Sequence, residues 1–286
     1  MNRLRRARPI LTRSPLLPVL LPIALAATAA WAQAQSVMAD EVPFITSPDN
    51  VTLEMLQIAQ VGAGDHVIDL GSGDGRIVIT AARRFGATGL GVEIVPDLVD
   101  RSLRTAREAG VADKADFRVQ DLFKTDLSRA TVVTMYLLTE VNLQLRPALL
   151  QLAPGTRVVS HDWDMGDWQP DRTTVVPVPD KKVGLEKSSR IHLWTVPAPV
   201  EGVWCGTAEA SGARLHLSQR YQFVEGRVLD AGRAASWQGR LQGTALTTDG
   251  GFAFTATGER LRVTQAAGQA PVAIGAEFTR SADGRC

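Results

Sequence analysis

The run Val67-Ile68-Asp69-Leu70-Gly71-Ser72-Gly73-Asp74-Gly75-Arg76 begins apolar and turns abruptly to glycine. Its first residues suit a short buried strand. Gly71, Gly73 and Gly75 then supply a turn whose backbone takes positive φ and comes close to whatever it holds. From Arg76 to Phe85 the pattern is helical. Strand, bare turn and helix in that order are the first half of a β-α-β unit.

The alternation continues on both sides of that run. Val51, Met55, Ile58 and Ala59 recur at helical spacing after Pro48, with Ser47 expected as the cap. Strands are expected at His66–Leu70, Thr88–Glu93, Asp116–Gln120, Thr131–Tyr136 and Arg157–His161. Further helices are expected from a cap at Asp97 to Glu108 and over Glu140–Leu152. Thr173–Val178 and Arg190–Val196 have no helix between them and should pair as an antiparallel hairpin. Strands alternating with helices mean a parallel sheet covered on both faces.

Past Pro197-Ala198-Pro199 the helical signal vanishes. Short alternating runs replace it at Gly202–Thr207, Arg214–Gln222, Phe223–Leu229, Trp237–Leu241, Phe252–Thr255, Leu261–Thr264 and Ala273–Phe278. The expected fold class is α/β: a Rossmann-like domain over residues 35–196, then a small all-β sandwich or barrel over 200–286. Cys205 and Cys286 would close a loop of 82 residues if they pair, and are otherwise two separate thiols. No His/Cys cluster has metal-ligand spacing, so no metal is expected. A net charge of +1 lacks the basic excess of a nucleic-acid surface, and no nucleic-acid partner is expected.

Residues 1–34 read as a secretory signal peptide. Arg3, Arg5, Arg6, Arg8 and Arg13 precede an apolar run from Leu16 to Ala30, followed by Ala30-Trp31-Ala32 and Ala32-Gln33-Ala34. The run is short against the roughly 20 residues of a spanning helix. Cleavage is the expectation, leaving a periplasmic or secreted protein with no stable membrane span; an uncleaved anchor is the alternative.

Acids surround the glycine turn. Asp69 and Asp74 would repel a pyrophosphate but suit a phosphate-free ligand bearing an ammonium or sulfonium. Glu93, 24 residues after Asp69, ends the next strand, where a carboxylate accepts from ribose hydroxyls. Gln120-Asp121-Leu122-Phe123 follows the third strand; Asp121 suits an adenine amino group, and Leu122 or Phe123 the ring. All three places lie at the carboxyl ends of consecutive strands, the ligand edge of open α/β sheets.

Together these residues resemble the class I, Rossmann-like S-adenosylmethionine-dependent methyltransferases over roughly 155 residues. That resemblance implies a seven-stranded sheet, S-adenosyl-L-methionine as cofactor, and Asp69, Gly71, Ser72, Gly73, Asp74, Gly75, Glu93, Asp121 and Leu122 as cofactor neighbours. Val42-Pro43-Phe44-Ile45-Thr46-Ser47-Pro48 and Asp69–Val78 are similar to the mitochondrial lysine methyltransferases of ATP synthase c-subunit and adenine nucleotide translocator. This narrower resemblance implies Phe44, Thr46 and Ser47 beside the methionine moiety. Thr46 and Ser47 stand where that family has proline and threonine.

The fourth strand lacks the Asn-Pro-Pro-Tyr of amino-methylating DNA enzymes, and the domain has no cysteine for cytosine chemistry. Tyr136 sits where an acceptor would meet the methyl group, and is the candidate catalytic residue; packing at a strand end is its other reading. Phe44, Tyr136, Trp163 and Trp168 are candidates for an apolar entrance, and His161 for a base or a structural histidine. The expected acceptor is a protein amine. A small molecule or lipid acceptor, or a non-catalytic exported nucleoside-binding protein, are the alternatives.

Overall fold

The computed structural model describes residues 45–182, 186–230, 232–267 and 272–286. Seven strands form one sheet: β1 (His66–Leu70), β2 (Thr88–Glu93), β3 (Ala115–Val119), β4 (Val132–Met135), β5 (Arg157–His161), β6 (Arg172–Pro177) and β7 (Ser188–Thr195). Their order is β3-β2-β1-β4-β5-β7-β6, with β7 antiparallel to both neighbours. The hairpin read from the sequence is therefore present, and β6 runs parallel to β5 on its far side. Among the described residues four helices cover the faces: α1 (Asp49–Ile58), α2 (Arg76–Phe85), α3 (Pro96–Glu108) and α4 (Thr139–Leu149).

Two expected caps are corrected. Pro48, not Ser47, precedes the first turn of α1, and no side chain caps it. Asp97 lies inside α3 behind Val95 and Pro96, its charge still favourable in the first turn. The helix over 140–152 stops at Leu149, short of Pro154.

The strands are apolar on both faces because both are covered. Val67, Val132, Val159 and Ile191 pack under Val51, Met55 and Leu56 of α1 and Ile77 and Ala81 of α2. Ile68, Leu70, Val133, Met135 and Val158 face the other way, against Leu145 and Leu149 of α4 and Met165, Trp168 and Trp194.

The C-terminal part is a barrel rather than a sandwich. Strands β8 (Gly202–Thr207), β9 (Arg214–Arg220), β10 (Phe223–Asp230), β11 (Arg233–Gln242), β12 (Ala245–Thr248), β13 (Phe252–Thr257), β14 (Arg260–Ala266) and β15 (Glu277–Arg280) each pair antiparallel with the next, and β15 closes onto β8. The strand missed in the sequence is β12, four residues behind a tight turn. Closure leaves no unpaired edge. Trp204, Trp237, Phe254, Leu261 and Phe278 fill the interior. Trp237 needs room, and Gly226 opposite it in register supplies that room: a Cβ there would meet the indole at 2.1 Å. Cys205 and Cys286 are disulfide-bonded, tying the C-terminus to β8.

The barrel is mounted at the amino ends of the parallel strands. After His161 the chain runs back down the face that Trp168 covers and enters β6 near the start of β5. Along that return, Asp167 bonds Arg220 and the Tyr221 hydroxyl, Gln169 accepts from Gln222, and Asp171 pairs with Arg240. Tyr221 also stacks on Trp168, centroids 6.1 Å apart.

Candidate functional site

The carboxyl ends of β1 to β5 carry the polar residues the sequence singled out. Gly71, Gly73 and Gly75 have φ of 73°, 54° and 77°, a region that favours glycine. Gly75 is also a close approach: a Cβ there would lie 2.6 Å from the Phe117 ring and 2.8 Å from the Ser102 Cβ. Ser102, unnoticed in the sequence, donates to the Gly73 carbonyl at 3.1 Å and fixes the turn from α3.

Asp69 is buried, and its Oδ1 accepts from the Thr134 hydroxyl at 2.7 Å. The two residues are opposite each other in the β1–β4 register, which puts both side chains on one face. Burial pushes the Asp69 carboxyl up to about 7, against the Thr134 hydrogen bond and assisted by the charges of Glu93 and Asp74. Glu93 reaches over the turn and accepts from the Gly73 amide at 3.0 Å, while its other oxygen accepts from the Ile94 and Val95 amides. Asp74 is clamped by Arg76, Nη2 to Oδ2 at 2.6 Å. Although burial opposes it, the Arg76 hydrogen bonds and charge hold the Asp74 carboxyl below the usual carboxylate range.

Asp121 stands at the same edge, two residues past the Val119 that pairs with Glu93. Its Oδ1 accepts from the Phe123 amide and caps a single 3-10 turn, leaving the carboxylate part exposed. Leu122 leans on the core and Phe123 stays open to solvent. Ser72 is buried with an unpartnered hydroxyl among the described residues. Thr46 is half-buried and Ser47 buried; Phe44 lies outside the described residues.

Beside this turn lies a second group. Leu137 comes within 3.1 Å of where a Gly71 Cβ would be, so the loop after β4 abuts the glycines. Tyr136 in that loop stacks on His161, ring centroids 3.8 Å apart. Both His161 nitrogens are occupied: Nδ1 with Ser47 Oγ and Nε2 with Ser189 Oγ, each at 2.8 Å. Burial pushes His161 down to about 4, outweighing the neighbouring Asp162, so the ring is neutral at pH 7. Asp162, at φ 62°, is held by Lys181 Nζ at 2.7 Å. Burial, then the Asp162 charge, pushes the Tyr136 phenol up, so it keeps its proton. Trp163 is part exposed at this rim, its carbonyl held by buried Asn142. Trp168 lies in the core and lines no entrance.

The geometry suits a phosphate-free cation: a bare turn, a buried acid beneath it and a second acid across it. The family model of the ANTKMT methyltransferase domain matches residues 69–172. A protein-lysine N-methyltransferase of Saccharolobus islandicus is 46% identical over 131 residues, covering 45% of this chain and 81% of that protein. The chain is a member of this methyltransferase family. Its cofactor is S-adenosylmethionine.

The human lysine N-methyltransferase of the ATP synthase c-subunit is 33% identical over 134 residues, 46% of this methyltransferase and 57% of the human protein. The methyltransferase thus spans little more than half the length of that relative. A solved structure from Salinibacter ruber, described as an RNA methyltransferase with S-adenosyl-L-homocysteine, is 53% identical, covering 55% of this chain and 96% of that one, at a TM-score of 0.49. Residue type and spacing pointed to the glycine turn and its acids, before any resemblance. Thr134, Ser102, Asn142 and Ser189 carried no motif, and Arg76 lay in the glycine motif without a role read for it; only the pairing of Thr134 with Asp69 across two strands was open to inference.

Proposed function

We propose that the methyltransferase modifies the amine of a protein lysine, outside the cytoplasm. One geometric observation carries the acceptor class: neither ring at the ends of β4 and β5, His161 nor Tyr136, is free to serve as a base. His161 is neutral with both nitrogens engaged, and Tyr136 holds its proton. Neither ring takes a proton from the acceptor, so the acceptor needs an available lone pair of its own. For lysine at pH 7 that costs roughly 4.6 kcal/mol. Desolvation beside Tyr136, Leu138 and Trp163 lowers that cost by disfavouring the ammonium. When bound, the cofactor supplies an electrophilic methyl: the amine lone pair forms the C–N bond as the C–S bond breaks, and sulfur keeps the pair. The chain's own task is alignment and exclusion of water. The acceptor named for the Saccharolobus islandicus relative supports the same class.

Export is supported by the arginine-rich, apolar leader and by the Cys205–Cys286 disulfide, since such bonds persist in oxidising compartments. Residues 1–34 lie outside the described residues. A mature N-terminus near residue 35, read by mass spectrometry from cell envelopes, is the expected outcome; an unprocessed N-terminus in the cytoplasm would remove this part.

The acceptor is tested by incubating the protein with methyl-labelled S-adenosylmethionine and an envelope extract. Label recovered as methyl-lysine in a protein band is expected. Label confined to the organic phase would replace lysine with a lipid or small molecule, and label in RNA would replace it with nucleic acid. Cofactor binding with no transfer to any fraction would leave a nucleoside-binding protein.

A further inference from the structure

Ser47 is gripped from two sides. Its carbonyl accepts from Arg76 Nη1 at 2.8 Å, and Arg76 is locked to Asp74 of the glycine turn. Its hydroxyl bonds His161, whose ring lies against Tyr136 and whose far nitrogen bonds Ser189 of β7. Hydrogen bonds thus run from the cofactor turn, through the segment before α1, to His161, and a ring stack carries the path on to the tyrosine on the acceptor side. Ser47, His161 and Ser189 are 4%, 1% and 1% exposed. A neutral imidazole has one donor and one acceptor, and each serine hydroxyl can serve either, so the trio is fully satisfied in both tautomers. Removing one member strands buried polar atoms.

From this we infer that Ser47 and His161 form a latch: it holds the segment before α1 against the glycine turn and sets the Tyr136 ring, so both are positioning residues for methyl transfer. The inference rests on the cofactor assignment. Two functions are separable. The Ser47 hydroxyl governs how firmly the cofactor is enclosed. The His161 ring governs where Tyr136 stands when the acceptor arrives.

The test uses the full chain with S-adenosylhomocysteine as the binding probe, together with steady-state methyl transfer and thermal melting. Ser47→Ala should speed probe dissociation about fivefold, the size of one lost hydrogen bond, and Ser47→Thr should restore it. His161→Asn keeps an amide for Ser47 but no ring for Tyr136; it should lower kcat more than it weakens the probe. Ser47→Ala combined with His161→Asn should weaken the probe no further than Ser47→Ala alone. Unchanged dissociation in Ser47→Ala, failure of threonine to rescue, or additive losses in the double variant would overturn the latch. The two Ser47 variants decide the matter even if His161→Asn does not fold. An unsubstituted protein that binds no probe would overturn the cofactor assignment and the latch with it.

Discussion

The two ends of the central sheet are built on opposite plans. At the carboxyl ends, polar side chains are held by specific partners: Asp69 on Thr134, Glu93 on Gly73, His161 between two serines. Apolar side chains there, Ile94, Phe123 and Leu138, are 62%, 51% and 46% exposed. At the amino end of β5 the barrel supplies the cover, while the turns before β1 and β3 stay exposed. Asp171 is tied to Arg240, Trp168 lies under Tyr221, and the barrel closes the surface with a core of its own. Ligand chemistry and domain mounting are thus segregated by strand direction. Methyl transfer should then be insensitive to the barrel joint, and stability insensitive to parts of the cleft.

The largest effect expected is at the open end. Gly75→Val places a branched side chain at φ +77° and against Phe117 and Ser102. It should abolish cofactor binding by calorimetry and cost about 5 kcal/mol by denaturant titration, from backbone strain and overpacking together. Retained binding would mean the turn is not the cofactor cradle.

In the barrel, replacing Cys205 and Cys286 with serine should lower stability by about 4.5 kcal/mol at most, from the loop-entropy relation. Cofactor affinity should not change. A matching loss of affinity would show that the two ends communicate.

Asp69 sharpens the contrast through pH. Its folded pKa is raised to about 7, so ionising it in the apo fold is unfavourable. The sign follows: a raised carboxyl takes stability away as pH climbs from the unfolded value of 3.8 through 7. A cationic ligand prefers the ionised form, so affinity should rise about fivefold between pH 6 and 7. Asp69→Asn should flatten that rise, weaken binding, and melt higher than the parent at pH 8. A variant that keeps the pH dependence would assign the titration elsewhere.

The smallest effect belongs to Arg240→Ala, about 1 kcal/mol of stability for a part-exposed ion pair with Asp171. kcat should be unchanged. A fall in kcat would place the barrel in the reaction.

Order and class of elements were readable in the residues because each segment's periodicity is local: β1, α2, β2 and β5 match their structural bounds residue for residue. The glycine turn was readable because its φ values favour glycine, and the acids because they follow strand ends. What the chain could not disclose were relations between distant segments. Ser47 looked like a cap, since Ser-Pro before a helix is the local pattern; its hydroxyl instead meets a histidine 114 positions away. Cys205 and Cys286 left pairing open until the barrel closed and brought β15 beside β8. The neutrality of His161 and the raised Asp69 carboxyl come from burial, which exists only once helices cover both faces of the sheet. Local propensity thus set the parts, and packing alone decided their charges and partners.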